Sequence, residues 1–343
     1  MRNNHRSVPL FFSLTYEFLQ VYLPQQCGRS PHTVESYRDA LSLFRRYILH
    51  TLGRSIGAFT FAECTRECVL GFMDYLAELK SKPATRNQRL AALKSYVMFA
   101  ADKDVTLQSS ELEMRRVPQC RVPKTEKTVI PEDAMAAILQ QPPKTKQGLR
   151  DRAIMILLYD SGARLAEILN LTVSDVAITG ENPYLRVNGK GSKERIVPIS
   201  LKTAAHLAQY LSVYHASGHP QTDLLFFTVI KNVAGMMSEG NVERFVKDYA
   251  RQARCSCPSV PDHVHPHMFR RTRATQWYQN GVSLPLVSRL LGHASLQTTQ
   301  LYAQPSLKML REAIESVETP EQKAEKPFWE ENETIMAKLS GLR

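Results

Sequence analysis

Between His265 and Tyr302 the chain sets the imidazoles of His267 and His293, the guanidinium of Arg270 and the phenol of Tyr302 at tight spacing, a set that the fold is expected to gather. The stretch reads His265-Pro266-His267-Met268-Phe269-Arg270-Arg271-Thr272, then Leu291-Gly292-His293, then Thr298-Thr299-Gln300-Leu301-Tyr302. His267 and Arg270 are three apart, so on a helix they share one face. Tyr302 lies nine residues past His293, beyond a turn expected from Gly292 to Ser295. Arginine offers phosphate oxygens a bidentate fork. Imidazole donates or shuttles protons near neutral pH, and tyrosine can serve as a covalent nucleophile. Together they suit a phosphodiester. Taken singly each has a plainer explanation: a His-x-x-Arg pair is commonly a solvated helix face, and a tyrosine near a helix end is commonly half-buried packing.

The charge balance points the same way. The 343 residues carry a formal charge of +11 and a pI of about 9.4, which favours an anionic partner. The surplus is not in the tail: residues 307–343 hold six Lys/Arg against eight Asp/Glu, which leaves the rest at a net +13. A basic body with a mildly acidic tail fits a DNA-binding protein better than a membrane-surface one. No run of 18 apolar residues occurs, so no membrane span is expected. The apolar stretch from Pro9 to Leu23 contains Glu17 and lacks a small-residue cleavage site, so it reads as a helix, not a signal peptide. Six scattered cysteines, at 27, 64, 68, 120, 255 and 257, read as free thiols of a cytoplasmic protein. Cys255 and Cys257 precede His263, His265 and His267, a set that invites a zinc site. The usual Cys-x-x-Cys spacing is absent and two prolines and an Asp intervene, so no metal is assigned.

The length allows about two domains. Ser30-Pro31 is a strong helix start, and Val34, Tyr37, Leu41, Phe44 and Ile48 follow at helical spacing. Further helices are expected from near Thr65 and after Pro83, giving with Pro9–Leu23 a small all-α domain over 1–103. Its polar faces carry Arg38, Arg45, Arg46, Lys80, Lys82, Arg86, Arg89 and Lys94, which read equally as a solvated basic face or as phosphate contacts. Residues 104–127, with Pro118, Pro123 and the basic Arg115, Arg116, Arg121 and Lys124, read as an extended linker that either tracks a phosphate backbone or is an ordinary hinge. Over 128–306 helices are expected at 132–140, 149–160, 164–171, 202–216, 239–254, 267–279 and 284–291, with a short one ending near Tyr302. A β-hairpin is expected from Tyr184 to Val187 and from Glu194 to Pro198, across a turn containing Gly189 and Gly191. The fold class is therefore mainly α with a small β-hairpin or sheet.

Ser161-Gly162-Ala163-Arg164-Leu165-Ala166-Glu167 adds a second arginine box. Gly162 breaks one helix and Arg164 opens the next, a natural phosphate seat that Glu167 can brace from behind. The plain alternative is a surface ion pair, worth little.

In this order, Arg164, Gly189-Lys190-Gly191-Ser192-Lys193-Glu194-Arg195, His267-x-x-Arg270, Leu291-Gly292-His293 and Tyr302 resemble the motifs of the tyrosine recombinases, the phage integrase family, and its Xer-like members in particular. The resemblance covers about residues 30–305. It implies an N-terminal helical core-binding (SAM-like) domain that clamps DNA and a C-terminal catalytic domain. It also implies a site-specific recombinase that integrates or transposes DNA through a 3′-phosphotyrosyl intermediate. By the resemblance, Tyr302 is the nucleophile and Arg164 and Arg270 hold the non-bridging oxygens. His267 takes the phenol proton, since a phenol ionises in water only near pH ~10. His293 donates a further hydrogen bond, and Lys190 protonates the leaving 5′-oxygen. Lys193 is the rival lysine, with phosphate contact as its default, and Arg86, Arg89, Lys94 and Arg271 are further DNA contacts. Arg271 stands where the family often has His, so one supporting contact differs from the family's pattern. The link stores the phosphodiester's energy, so no cofactor is required. The partners implied are double-stranded DNA and, on paired sites, a homotetramer of a protein that is monomeric when free. The tail, 307–343, is then a segment that docks on a neighbour. The competing readings are a type IB topoisomerase-like nicking-closing enzyme and an idle DNA-binding accessory protein.

Overall fold

The structure, a computed structural model, describes residues 9–123, 128–189, 194–216, 223–231, 233–293, 295–300, 302, 309–311 and 332–341. The chain divides into two compact units, Met1–Glu126 and Lys127–Arg343.

The first unit is helical. A single turn, α1 (Thr15–Glu17), runs into a π-helical segment, Phe18–Gln26, in which the Cys27 amide reaches back five residues to the Tyr22 carbonyl at 2.9 Å. Pro24 inside this segment brings no N–H to the ladder. Helices α2 (Pro31–Thr51), α3 (Arg66–Glu78) and α4 (Pro83–Lys103) follow. Ser30 and Thr65 cap the first two by accepting the amides of Thr33 and Cys68. The core is aromatic: Phe11 sits with the rings of Phe12, Phe44, Phe59, Phe61 and Tyr96 between 4.9 and 5.6 Å away. The Tyr96 hydroxyl donates to the Phe11 carbonyl, so the buried phenol keeps a partner. Each such side chain stabilises the unit by roughly 1.5–3 kcal/mol through burial.

The stretch expected to be a linker is different. Residues 108–115 form helix α5 (Gln108–Arg115), preceded by a 3₁₀ turn at Val105–Leu107. Leu107, Met114 and Val117 are buried in the aromatic core, and Cys120 is tied back by two hydrogen bonds to Asn87. Three apolar anchors outweigh the composition of the segment. Of the stretch, 124–127 lie outside the described residues.

The second unit is built on α7 (Lys146–Ser161), whose Ala153, Ile154, Met155, Leu157 and Leu158 are all buried. A helix apolar on every side belongs in a core, and α7 packs on α9 (Leu201–Tyr214) and α11 (Pro266–Gln279). Its buried carboxylates are partnered: Asp151 accepts from Arg150 and the Tyr249 hydroxyl, Asp160 from Arg273 and the Ser200 amide. Around α7 lie α6 (Glu132–Gln140), α8 (Leu165–Leu169) and α10 (Glu239–Arg254). The expected hairpin is the larger part of a three-stranded antiparallel sheet in the order β1 (Val176–Ala177), β2 (Tyr184–Asn188), β3 (Glu194–Pro198). Its register sets Leu185 opposite Val197 and Val187 opposite Arg195. Leu185, Val187 and Val197 face the core, as a period of two requires. A second hairpin, β4 (Phe227–Ile230) with β5 (Val233–Met236), was not expected, and it exposes Val229, Ile230, Val233 and Met236.

Helices α12 (Leu284–Leu291) and α13 (Leu296–Gln300) bring Val287, Leu291 and Tyr302 onto Ala274 in a separate small cluster. Near the C-terminus a helix, α14 (Glu333–Leu339), is capped by Asn332 and exposes Met336 and Leu339. No helix among the described residues is long and apolar enough to cross a membrane.

Candidate active site

The site begins where α7 ends. Gly162 adopts the left-handed conformation (φ +60°) that closes the helix. A Cβ there would lie 3.2 Å from Leu291 Cδ2 and 3.3 Å from the Trp277 ring, so glycine serves both the turn and the close approach. The turn delivers Arg164 to the N-cap of α8. Glu167 accepts the Arg164 amide at 2.8 Å and Arg164 Nη1 at 2.7 Å, capping the helix and bracing the guanidinium together. It also takes both terminal nitrogens of Arg195, at 3.2 and 2.7 Å. Burial alone would push the Glu167 carboxyl up. The bonds from Arg195 and the Arg164 amide outweigh it, and the group titrates below its usual range.

Arg270, on the second turn of α11, is only 1% exposed. Nη1 donates to the Gly162 carbonyl and Nη2 to the Leu291 carbonyl, both at 2.7 Å. These carbonyls close α7 and α12, and helix C-termini carry partial negative charge. Burial, then the Arg164 charge, pushes the Arg270 pKa down. Nη2 also lies 2.9 Å from His293 Nε2. His293 Nδ1 is 2.7 Å from Thr299 Oγ1, and the Tyr302 amide donates to the Thr299 carbonyl at 2.9 Å. The Tyr302 ring, 4% exposed, stacks on His293 at 5.9 Å and 25°. His267, in the first turn of α11, stacks on His265 at 6.4 Å. With Arg164 and Arg270, His265 and His267 line a cleft of about 260 Å³, which Glu239 and Glu243 also line.

Five of the six expected residues, Arg164, His267, Arg270, His293 and Tyr302, are thus gathered on one side of the second unit. Lys190 and Lys193 lie outside the described residues. His293, expected to donate a hydrogen bond to DNA, here meets Arg270. Since a guanidinium can only donate, His293 Nε2 accepts, and the ring proton sits on Nδ1, facing Thr299. Burial, then Arg270, Arg164, Arg195 and His267, pull its pKa down to about 4. In this state the ring is neutral and holds Arg270; it has no proton on Nε2 to donate. Arg271 is turned to the Thr128 carbonyl at 2.8 Å.

The first unit's candidates are also occupied in part. Lys94 donates to the carbonyls of Arg115 and Val117, at 3.2 and 2.7 Å, and so closes α5. Arg89 donates to Ser81. Arg86 Nε and Arg271 Nε are buried nitrogens without a hydrogen-bond partner among the described residues. The Cys257 thiol faces Asp133 and Ser259, not the imidazoles. Among the described residues no group of three or more His, Cys, Asp or Glu is placed to hold a metal ion.

Two residues of the site were not foreseen from the sequence. Thr299 was hidden as one of two adjacent threonines. Arg195 had a visible signal: it shares a strand face with Val197, a charged side chain at an inward position.

Comparison with known proteins bears on all of this. Residues 128–309 match the phage integrase family, and residues 17–104 match the phage integrase N-terminal SAM-like domain. The tyrosine recombinase XerC of Myxococcus xanthus is 32% identical over 308 residues, covering 88% of this chain and 96% of that protein. The tyrosine recombinase XerA of Pyrococcus horikoshii is 30% identical over 292 residues, covering 84% and 88%. Among solved structures, the XerH recombinase bound to its difH substrate superposes with a TM-score of 0.62 at 21% identity, covering 88% of this chain and 84% of that one. The Tn1549 transposon integrase in complex with transposon right end DNA gives 0.65 at 14% identity, covering 88% and 98%. These two establish the fold alone.

Proposed function

The chain belongs to the phage integrase family as a tyrosine recombinase, and from that premise we propose how its residues divide the work of cutting and rejoining DNA. Site-specific recombination is the activity, and double-stranded DNA is the substrate and partner. Tyr302 Oη attacks the scissile phosphorus; the bond to the 5′-oxygen breaks; a 3′-phosphotyrosyl link and a free 5′-hydroxyl result. The phenol proton passes to His267, and Lys190 returns a proton to the leaving oxygen. Arg164 and Arg270 hold the non-bridging oxygens as charge develops. Attack by the 5′-hydroxyl of another strand reverses these steps and exchanges partners. No cofactor enters.

The observation that supports this assignment most is the convergence of Arg164, Arg270, His293 and Tyr302, which come from four different elements. His293 acts in it as the brace that holds Arg270, not as a donor to phosphate. We further propose that the protein works in the cytoplasm, is monomeric when free, and assembles as a tetramer on paired sites through its tail.

The test is covalent capture. Wild-type protein on a nicked suicide duplex bearing its target should give a shifted band on a denaturing gel, and Tyr302→Phe should bind but give none. A band from Tyr302→Phe would remove Tyr302 as nucleophile. The target itself is best sought as inverted repeats around a short spacer in the DNA flanking the gene.

A further inference from the structure

We propose that Arg195 is a positioning residue for strand cleavage, fixing the β2–β3 hairpin, the Arg164 turn and the Leu291-Gly292-His293 turn to one another. The proposal rests on the recombinase reading above. Arg195 is the second residue of β3, and its side chain, 11% exposed, points to the core side of the strand. All three guanidinium nitrogens are engaged. Nη1 and Nη2 grip the two oxygens of Glu167, which itself holds the Arg164 amide and guanidinium. Nε donates to the Leu290 carbonyl at 2.9 Å.

The next carbonyl along, that of Leu291, is taken by Arg270. Two arginines thus hold successive carbonyls at the end of α12, one from the hairpin and one from α11. A helix C-terminus leaves such carbonyls without intrahelical partners, and here they become the anchor for the turn into His293. Gly292 completes the fit. Its φ is +65°, and a Cβ on it would stand 2.9 Å from Arg195 Nη1 and 3.0 Å from Cζ. Only a residue without a side chain lets the guanidinium lie flat against that backbone. With Nε on the Leu290 carbonyl and both terminal nitrogens on Glu167, Arg195 acts through these two residues and not on the substrate. A lysine would keep the charge but not the planar fork or the third bond.

The experiment compares full-length Arg195→Gln and Arg195→Lys with wild type. The probe is a nicked duplex carrying the site that wild-type protein selects from a random-sequence pool. Arg195→Gln should form the covalent complex about 100-fold more slowly at saturating protein, with site affinity within about threefold of wild type. Arg195→Lys should fall between. Should Arg195→Gln fail to fold, Gly292→Ala keeps the charge and pushes the guanidinium aside, and the same split between rate and affinity is expected. A wild-type rate in either variant overturns the proposal, as does an affinity that falls in step with the rate, the mark of a merely structural residue. The recombinase reading is judged separately, by whether wild-type protein gives a covalent band at all.

Discussion

Arg270 Nη2 and His293 Nε2 stand 2.9 Å apart, so a group that can only donate meets a ring nitrogen that must accept. The imidazole is therefore neutral wherever this contact holds, and its proton faces Thr299.

This has a pH consequence. The His293 pKa lies at about 4 in the fold against an ordinary 6.5. Between those values the unfolded chain binds a proton that the folded chain does not, so stability rises with pH across the window. It is lost as pH falls from the ordinary value toward 4. The charges facing the ring, Arg270, Arg164, Arg195 and His267, all act in this sense. Melting temperatures followed from pH 7 to pH 4 should drop more steeply for wild type than for His293→Asn. Parallel curves would show that His293 is not held neutral by the fold.

Lys190 and Lys193 separate by leaving-group chemistry. Lys190→Ala should slow cleavage far more than Lys193→Ala, by about 100-fold or more if it is the general acid. A substrate with a 5′-bridging sulfur, whose leaving group needs no proton, should restore the Lys190 variant. Rescue of Lys193→Ala instead would exchange the two roles.

The basic face of the first unit does not act as one block. Arg86→Ala and Arg89→Ala should flatten the salt dependence of DNA binding, by ~0.9 in log–log slope for each phosphate that is no longer neutralised. Lys94→Ala should leave the slope alone and cost ~1–2 kcal/mol of stability, because its ammonium closes α5 at Arg115 and Val117. Titrations across a salt series, paired with denaturant melts, measure both. A flatter slope for Lys94→Ala would return it to the DNA.

The tail is tested by truncation after Glu318. The expected result is unchanged binding to a single site and loss of the four-subunit complex on paired sites, read by gel shift and sizing. The exposed Met336 and Leu339 of α14 are the apolar surface such docking would use. A truncated protein that assembles as readily as the full chain would rule the tail out as connector.

Local chemistry made much of the fold legible. Ser30 and Thr65 cap the helices expected to start at them. The gathering of Arg164, Arg270, His293 and Tyr302 could be read from motif order. What they touch could not: Gly162 and Leu291 lie 108 and 21 residues from Arg270 in sequence, and carbonyls leave no mark in it. The linker expectation failed for a related reason. Pro118 and Pro123 are conspicuous, whereas the anchoring of Leu107, Met114 and Val117 depends on an aromatic core assembled from elsewhere.

The left-handed turn at Gly162 joins the core helix α7 to a backbone oxygen that Arg270 grips. Structural integrity and chemical competence thereby share a single peptide unit. In a mutational survey Gly162 should therefore score with the reacting side chains, although it contributes no atom to the reaction. Selection for heat tolerance has little freedom at this position: an added methyl would strain the turn and press on Leu291 and Trp277. Stabilising changes are better placed on the far turns of α7, away from the carbonyl that Arg270 grips.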